Sequence, residues 1–340
     1  MAPSVFLTGA TGYIGGSIFH TLVTTHEDYD ITVLLRNPPG NFSLLYPNVE
    51  IVKGDFDNAR VITAAAKKAD IVIHCGNSDH EPSIKAIIAG LAQRKEKSFL
   101  IHLSGTGIVS DFRDPKYLGE LNPKVWSDVD DLEAITSLPD DAPHRITDKI
   151  VLAAAAEHGD KIKTAIMCPP DIYGAGRGPG KKQSVYLPVY LMEIKQTRAP
   201  FFTGSGGNTR SWVHISDLMN LYMKVVEAAA EGGGKAHWGK EGYYFASTQE
   251  VSQIDVARVA GKILMEDGLP INPEPKCLSL EEIAKKVSHV PFPDVATYLF
   301  ASSSRTKADR ATKLFNYAPS APSLLEAMVD DFDACKIFIL

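Results

Sequence analysis

Ser4-Val5-Phe6-Leu7-Thr8-Gly9-Ala10-Thr11-Gly12-Tyr13-Ile14-Gly15-Gly16 is the stretch that decides the fold. A short apolar run leads into a glycine-rich turn, and Ile14, Ile18, Leu22 and Val23 then fall on one face of a helix. Strand, glycine turn and amphipathic helix in this order form the arrangement that grips a dinucleotide. Glycines allow the tight turn and let the backbone approach a pyrophosphate. The first turn of the helix supplies unpaired N–H groups and a partial positive charge. The spacing is Gly-x-x-Gly-x-x-Gly, at Gly9, Gly12 and Gly15.

Further apolar runs follow at 31–35, 49–52, 70–75, 99–104 and 163–168. They are continuous rather than alternating, as parallel strands covered on both faces require. Helical stretches at 59–69 and 84–94 separate them, which predicts βαβ units. The expected fold is α/β: a Rossmann-type doubly wound parallel sheet with a smaller, partly helical C-terminal substrate lobe. The texture changes at the loop Gly174-Ala175-Gly176-Arg177-Gly178-Pro179-Gly180-Lys181-Lys182. Later helices are expected at 252–265 and 280–287, with a surface turn at Gly232-Gly233-Gly234. The expected division is a dinucleotide-binding core over 1–173, with an insertion near 111–143 and a partial return over 208–250. Residues 174–207 and 251–340 would form the substrate lobe.

Composition narrows the class. The 340 residues are 44% hydrophobic and 22% charged, which provides a sizeable core and excludes a disordered or coiled-coil chain. Lys and Arg number 35 against 41 Asp and Glu, a formal net charge of −6 that argues against a nucleic-acid partner. Cys75, Cys168, Cys277 and Cys335 have neither metal nor disulfide spacing, so no metal is expected and a reducing compartment is. No apolar run approaches the roughly 18 residues of a membrane span. Met1 leads almost directly into the first strand, leaving no room for a leader, so a cytoplasmic location is expected. The apolar end Ile337-Phe338-Ile339-Leu340 is expected to pack on the body.

Several other segments, in order along the chain, resemble the extended short-chain dehydrogenases/reductases, the NAD-dependent epimerase/dehydratase group. They are Lys53-Gly54-Asp55-Phe56, His74-Cys75-Gly76, Cys168-Pro169-Pro170-Asp171-Ile172-Tyr173-Gly174, Arg210-Ser211-Trp212-Val213-His214-Ile215-Ser216-Asp217 and the closing Ala308 to Pro319 stretch. The resemblance implies a nicotinamide dinucleotide held by Gly9, Thr11, Gly12, Tyr13, Ile14 and Gly15. Asp55 and Phe56 would lie at the adenine, with Cys75, Gly76, Pro170 and Ile172 further along the cofactor. Members of this family commonly pair through two helices, here 84–94 and 145–158, so a homodimer is one option.

The second strand ends at Leu35-Arg36-Asn37, without the acid that usually binds the ribose hydroxyls of NAD. Arg36 can instead pair with a 2′-phosphate, which favours NADP(H) over NAD(H).

The resemblance also implies a catalytic Ser or Thr, and a Tyr four residues before a Lys that holds the nicotinamide ribose. Lys149 suits the Lys role, but Arg145 stands four residues earlier, and a guanidinium cannot act as the ordinary general acid. Gly105 aligns with the catalytic Ser, leaving Ser104 and Thr106 beside it. Other candidate donors are His144, expected about 100° round an ideal helix, and Tyr117, Tyr173 and Tyr186. Arg145 and Lys149 together suit an anionic or oxyanion-forming substrate, as would contacts from Tyr173, Arg177 and Arg210; the resemblance puts Arg210 at the diphosphate of a nucleotide sugar. Three functions stay open: an NADP-dependent reductase of a small carbonyl compound with an atypical site, a catalytically silent NADP(H) sensor or scaffold like the NmrA regulators, and a nucleotide-sugar epimerase or dehydratase.

Overall fold

The computed structural model describes residues 2–287 and 294–339, with side chains described as far as 335. The expected apolar runs become β1 (Ser4–Thr8), β2 (Asp30–Leu35), β3 (Glu50–Lys53), β4 (Ile71–His74), β5 (Ser98–Leu103) and β6 (Ile162–Cys168). With β7 (Asp171–Tyr173), β8 (Thr209–His214), β9 (Tyr243–Phe245) and β10 (Gln249–Ser252), they build two sheets. The main sheet has the order β9-β6-β5-β4-β1-β2-β3, and every pairing is parallel. Such pairings need helical crossovers, which cover both faces and explain why the strands read as unbroken apolar runs.

One face carries α1 (Tyr13–Thr25), which packs on a later helix, Ile215–Ala230. The other carries α2 (Ala59–Ala66), α3 (Glu81–Ala92) and α4 (Arg145–His158), packed on one another. Chain order reverses between β1 and β4, so a crevice opens beyond the carboxyl ends of these strands, where open α/β sheets bind ligands. The register aligns Thr8 with Leu34 and His74, and His74 with His102. It therefore brings Gly9, Arg36, Gly54, Cys75, Ser104 and Pro169 to one edge.

A second core lies above that edge. Tyr173, Tyr186, Tyr190, Phe201, Trp212 and Phe300 are buried together beside the sheet β10-β8-β7. The chain then returns, and Ala308, Ala311 and Tyr317 pack into the first core. The insertion is held at two points. Trp126–Ser127 pairs with Thr306–Lys307, and the Asp128 carboxylate accepts hydrogen bonds from the Phe245 and Arg310 amides (2.9 and 3.0 Å). The helix expected over 280–287 is shorter, Leu280–Ala284. Gly232, Gly233 and Gly234 all have positive φ, the backbone of a tight surface turn. No helix among the described residues is long and apolar enough to cross a membrane. The packing of Ile337-Phe338-Ile339-Leu340 lies outside the described side chains.

Candidate active site

The glycine loop meets the crevice with bare backbone. Gly9 has φ +82°, and a Cβ there would stand 2.3 Å from the Cys75 carbonyl oxygen. A Cβ on Gly15 would stand 2.3 Å from the Gly9 carbonyl oxygen. Only glycine permits so close an approach of strand, loop and helix. No side chain caps α1 at Gly12 and no acid lies in its first turn, so its leading N–H groups suit an anion. The Tyr13 hydroxyl donates to the Gly174 carbonyl (2.6 Å), tying α1 to the second core. Exposed Arg36 lines a cleft of about 220 Å³ with Gly9, Thr11, Gly54, Asp55 and Phe56. The tip of the Phe56 ring abuts Gly76, where a Cβ would stand 2.1 Å from Cζ. These features fit a nicotinamide dinucleotide, with its pyrophosphate at the start of α1 and its adenosine end beside Arg36.

α4 spans Arg145–His158 as expected, but the pair it turns toward the sheet differs from expectation by one residue. Arg145 and Lys149 turn away from the crevice. The Arg145 guanidinium donates to the carbonyls of Leu138 (2.9 Å) and Thr136, closing the end of the insertion rather than pairing with Asp141 or Asp148. The Lys149 ammonium is exposed and donates to both Asp140 oxygens (2.7 and 2.8 Å). Neither reaches the cofactor crevice or meets Ser104.

The residues one position earlier face the sheet. Asp148 is fully buried and accepts hydrogen bonds from Ser104 Oγ and Tyr243 Oη, each at 3.0 Å. Burial pushes its carboxyl up to about 6, with nearby His144 and the two hydrogen bonds opposing. His144 is the residue before the helix, in the left-handed conformation (φ 65°), so the direction expected from an ideal helix does not apply. Its ring covers Gly105, where a Cβ would stand 3.0 Å from Nε2. Its Nδ1 lies 2.9 Å from Asp79 Oδ1 and 3.4 Å from Ser78 Oγ. Burial alone would lower the imidazole's pKa, but the hydrogen bond and charge of Asp79, with Asp148 behind, raise it above the ordinary value. Behind this group lie two buried neutral imidazoles. His74 is hydrogen-bonded to Thr8 Oγ1 (2.7 Å) and Ser83 Oγ (3.2 Å), and burial lowers it to about 4. His102 stacks on it at 5.5 Å and is lowered further.

The other expected site residues lie elsewhere. Thr106 is buried against Ser304, with 3.2 Å between their hydroxyls. The Tyr173 hydroxyl donates to the Pro322 carbonyl (2.7 Å) and accepts from Gln249 (2.6 Å), inside the second core. Tyr186 is likewise buried, with its hydroxyl on Gln253. Tyr117 packs under the Lys116 ammonium at 4.7 Å. Arg177 is exposed on the flank of α1, its amide hydrogen-bonded to Ser17 Oγ (3.0 Å). Arg210 is 3% exposed, with its guanidinium on Asp171, the Tyr298 carbonyl (2.8 Å) and Ser302 Oγ (3.0 Å). It is an internal tie, not an anion contact. Sequence reasoning missed Asp79, His144 and Asp148 as a group. The available signal was the same four-residue spacing, shifted from Arg145/Lys149 to His144/Asp148.

His144 lines a cavity of about 680 Å³ between the edge of the main sheet and the second core. Asp79, Val185, Val189, Val295, Tyr298 and Leu299 are among its walls.

Comparison with known proteins agrees with this architecture. Residues 9–134 match the NAD(P)H-binding family model, and residues 141–238 match that of the NAD dependent epimerase/dehydratase family. A protein named oxidase ucsJ from Acremonium sp is 27% identical over 340 residues, covering 96% of both chains. A dTDP-glucose 4,6-dehydratase of Mycobacterium tuberculosis is 22% identical and covers 77% of this chain and 78% of its own. Among solved structures, dTDP-glucose 4,6-dehydratase from Bacillus anthracis in complex with NAD superposes with a TM-score of 0.67 at 15% identity, covering 98% of this chain and 97% of that one. UDP-glucuronic acid 4-epimerase from Bacillus cereus gives 0.66 at 16%, covering 98% and 99%. Glycine loop, all-parallel sheet and the two matched segments together give this chain a Rossmann-type α/β fold that carries an NAD(P)H-binding segment over 9–134 and a segment similar to the NAD dependent epimerase/dehydratase family over 141–238.

Proposed function

We propose that the protein is an NADP(H)-dependent oxidoreductase that interconverts a carbonyl and an alcohol, with His144 as the proton-transfer group. The observation that carries this reading is the His144 imidazole, set over Gly105, bound to Asp79 and open to a cavity. A dinucleotide held by the glycine loop and the Arg36 cleft would supply or take the hydride. Protonated His144 would give its proton to the carbonyl oxygen, on which the C=O π pair gathers as the carbon is reduced. The alcohol leaves, and His144 is reprotonated through its contact with solvent. Asp79 fixes the ring and favours its charged form, so the donor is present near neutral pH. Arg36, with no acid at the end of β2, supports the preference for the 2′-phosphorylated cofactor.

The test is to titrate the protein with NADPH and NADH by fluorescence, then follow cofactor oxidation across a panel of aldehydes and ketones. NADPH should bind at least tenfold tighter, and Arg36→Ala should remove that difference while leaving NADH affinity in place. His144→Ala should bind NADPH normally and lose turnover. Equal turnover by His144→Ala would overturn the assignment of the proton donor.

A further inference from the structure

We propose that the cavity beside His144 takes a neutral, apolar carbonyl compound, or its alcohol, and rejects nucleotide sugars. This rests on the proton-transfer role of His144 given above and adds the class of molecule.

Among the described residues its walls are mainly aliphatic. Val185 and Val189 come from the helix Tyr186–Thr197 and the residue before it, Val295 and Leu299 from the helix Val295–Phe300, and Ile146 from α4. Ile146 and Val185 are 36% and 58% exposed, at its mouth. A volume of about 680 Å³ is that of a small-molecule site. A lining made mainly of branched aliphatic side chains contributes affinity through apolar area and leaves most of a sugar's hydroxyls unpartnered, with their desolvation uncompensated.

Charge at the cavity points the same way. Its two carboxylates are Asp79 and Glu81, bound to His144 (2.9 Å) and Lys85 (2.7 Å). Its guanidinium is Arg145, hydrogen-bonded to two backbone carbonyls. Among the described residues, a diphosphate entering here would meet acids and no uncommitted guanidinium, and Arg210, which the resemblance put at a diphosphate, is buried on Asp171. Of the cations behind the expectation of an anionic substrate, Arg145, Lys149 and Arg210 are committed to partners within the protein, and Arg177 stands on the flank of α1, apart from the residues that line this cavity. His144, held by Asp79, offers the apolar space a polar group suited to one oxygen atom.

The experiment uses the full-length protein saturated with NADPH, so that the dinucleotide cleft is filled. Binding of the neutral fluorophore N-phenyl-1-naphthylamine is measured, followed by displacement with a series of 2-alkanones and with UDP-glucose and dTDP-glucose. The fluorophore should bind, and the ketones should displace it with affinity rising about fourfold per added methylene until the cavity is full. The sugar nucleotides should not displace it at 1 mM. Val189→Thr, close in shape but carrying a hydroxyl, should weaken fluorophore and ketone at least fivefold with NADPH affinity unchanged. Val295→Thr serves as a second variant should the first fold poorly. Displacement by the sugar nucleotides, or identical affinities in both variants, overturns the proposal. Ketones that bind but never oxidise NADPH would sink the proposed reaction and leave the apolar site standing. NADPH oxidation driven by a sugar nucleotide would do the reverse.

Discussion

The pKa of His144 is raised chiefly by its contact with Asp79, and that can be read in a pH profile. Its pKa is raised, so reduction should be fastest where the imidazolium persists and should fall as pH rises through that raised value. Asp79→Asn removes the hydrogen-bonding charge and should move the falling limb toward lower pH, leaving NADPH affinity within twofold. His144→Asn should lower kcat by about 10²–10⁴. A falling limb that stays in place in Asp79→Asn would separate the pair from catalysis. Stability follows the same linkage. His144 contributes below its unfolded value and loses that contribution as pH rises through its folded pKa. Asp79, whose carboxyl is lowered by the partnership despite burial, contributes above its unfolded value and loses it on acidification. Asp79 is more than half exposed, so this stabilisation is small. Asp148 has the opposite sign. Its carboxyl is raised to about 6 by burial, so the folded state holds a proton that the unfolded chain has released, and stability falls as pH rises from about 3.8 to about 6. Asp148→Asn keeps an acceptor for Ser104 and Tyr243 and should stabilise the protein at pH 7 by about 1–3 kcal/mol, with no gain at pH 4. Urea titrations at the two pH values check this. The sequence displayed Asp79, His144 and Asp148 plainly, but it could not display the left-handed turn at His144. That backbone angle aims His144 at Asp79, while α4 turns Asp148 and not Lys149 toward Ser104.

Helix boundaries set what each end of α1 and α4 can do. At α4 the first helical residue follows a non-glycine in the left-handed region, which costs roughly 1–2 kcal/mol for an ordinary side chain. His144→Ala retains that cost and loses the Asp79 contact, whereas His144→Gly loses the ring but relaxes the backbone. The glycine variant should therefore melt higher than the alanine variant although both lack the imidazole, as differential scanning calorimetry would show. At α1, Gly15→Ala places a Cβ against the Gly9 carbonyl and should cost about 1–3 kcal/mol while weakening NADPH binding by an order of magnitude or more. An NADPH affinity unchanged in Gly15→Ala would put the pyrophosphate elsewhere. Elements were legible wherever one physical signal repeated. Buried parallel strands and the glycine loop carried such signals, and their positions shifted by only a residue or so. The insertion carried none, because residues 111–143 make one two-residue strand, a five-residue helix and turns held by side chains such as Asp128, which have no period.

Across the whole molecule, the active-site cavity exists because two cores are fixed at a set separation, and Arg210 is one of the fixings. Its guanidinium joins Asp171 at the start of β7 to the end of the helix Val295–Phe300, through the Tyr298 carbonyl and Ser302 Oγ. Its position in the Arg-Ser-Trp-Val-His segment was plain in the sequence, but its partners were not. Asp171 lies 39 residues away and Ser302 lies 92 residues away. Only the packing of the second core decides whether that charge faces a ligand or the protein. Removing it distinguishes the two. If Arg210 is structural, Arg210→Met leaves Asp171 without its buried counter-charge and should destabilise the protein by about 3–5 kcal/mol. Adding Asp171→Asn to Arg210→Met should recover part of that loss, because the pair then goes together and no orphaned charge is left. An anion-binding Arg210 predicts otherwise: Arg210→Met would unfold at nearly the wild-type urea concentration, Asp171→Asn would rescue nothing, and affinity for UDP-glucose would fall. Urea midpoints of the two single variants and the double variant, with wild type as the fourth corner, decide between these outcomes without any assay of turnover.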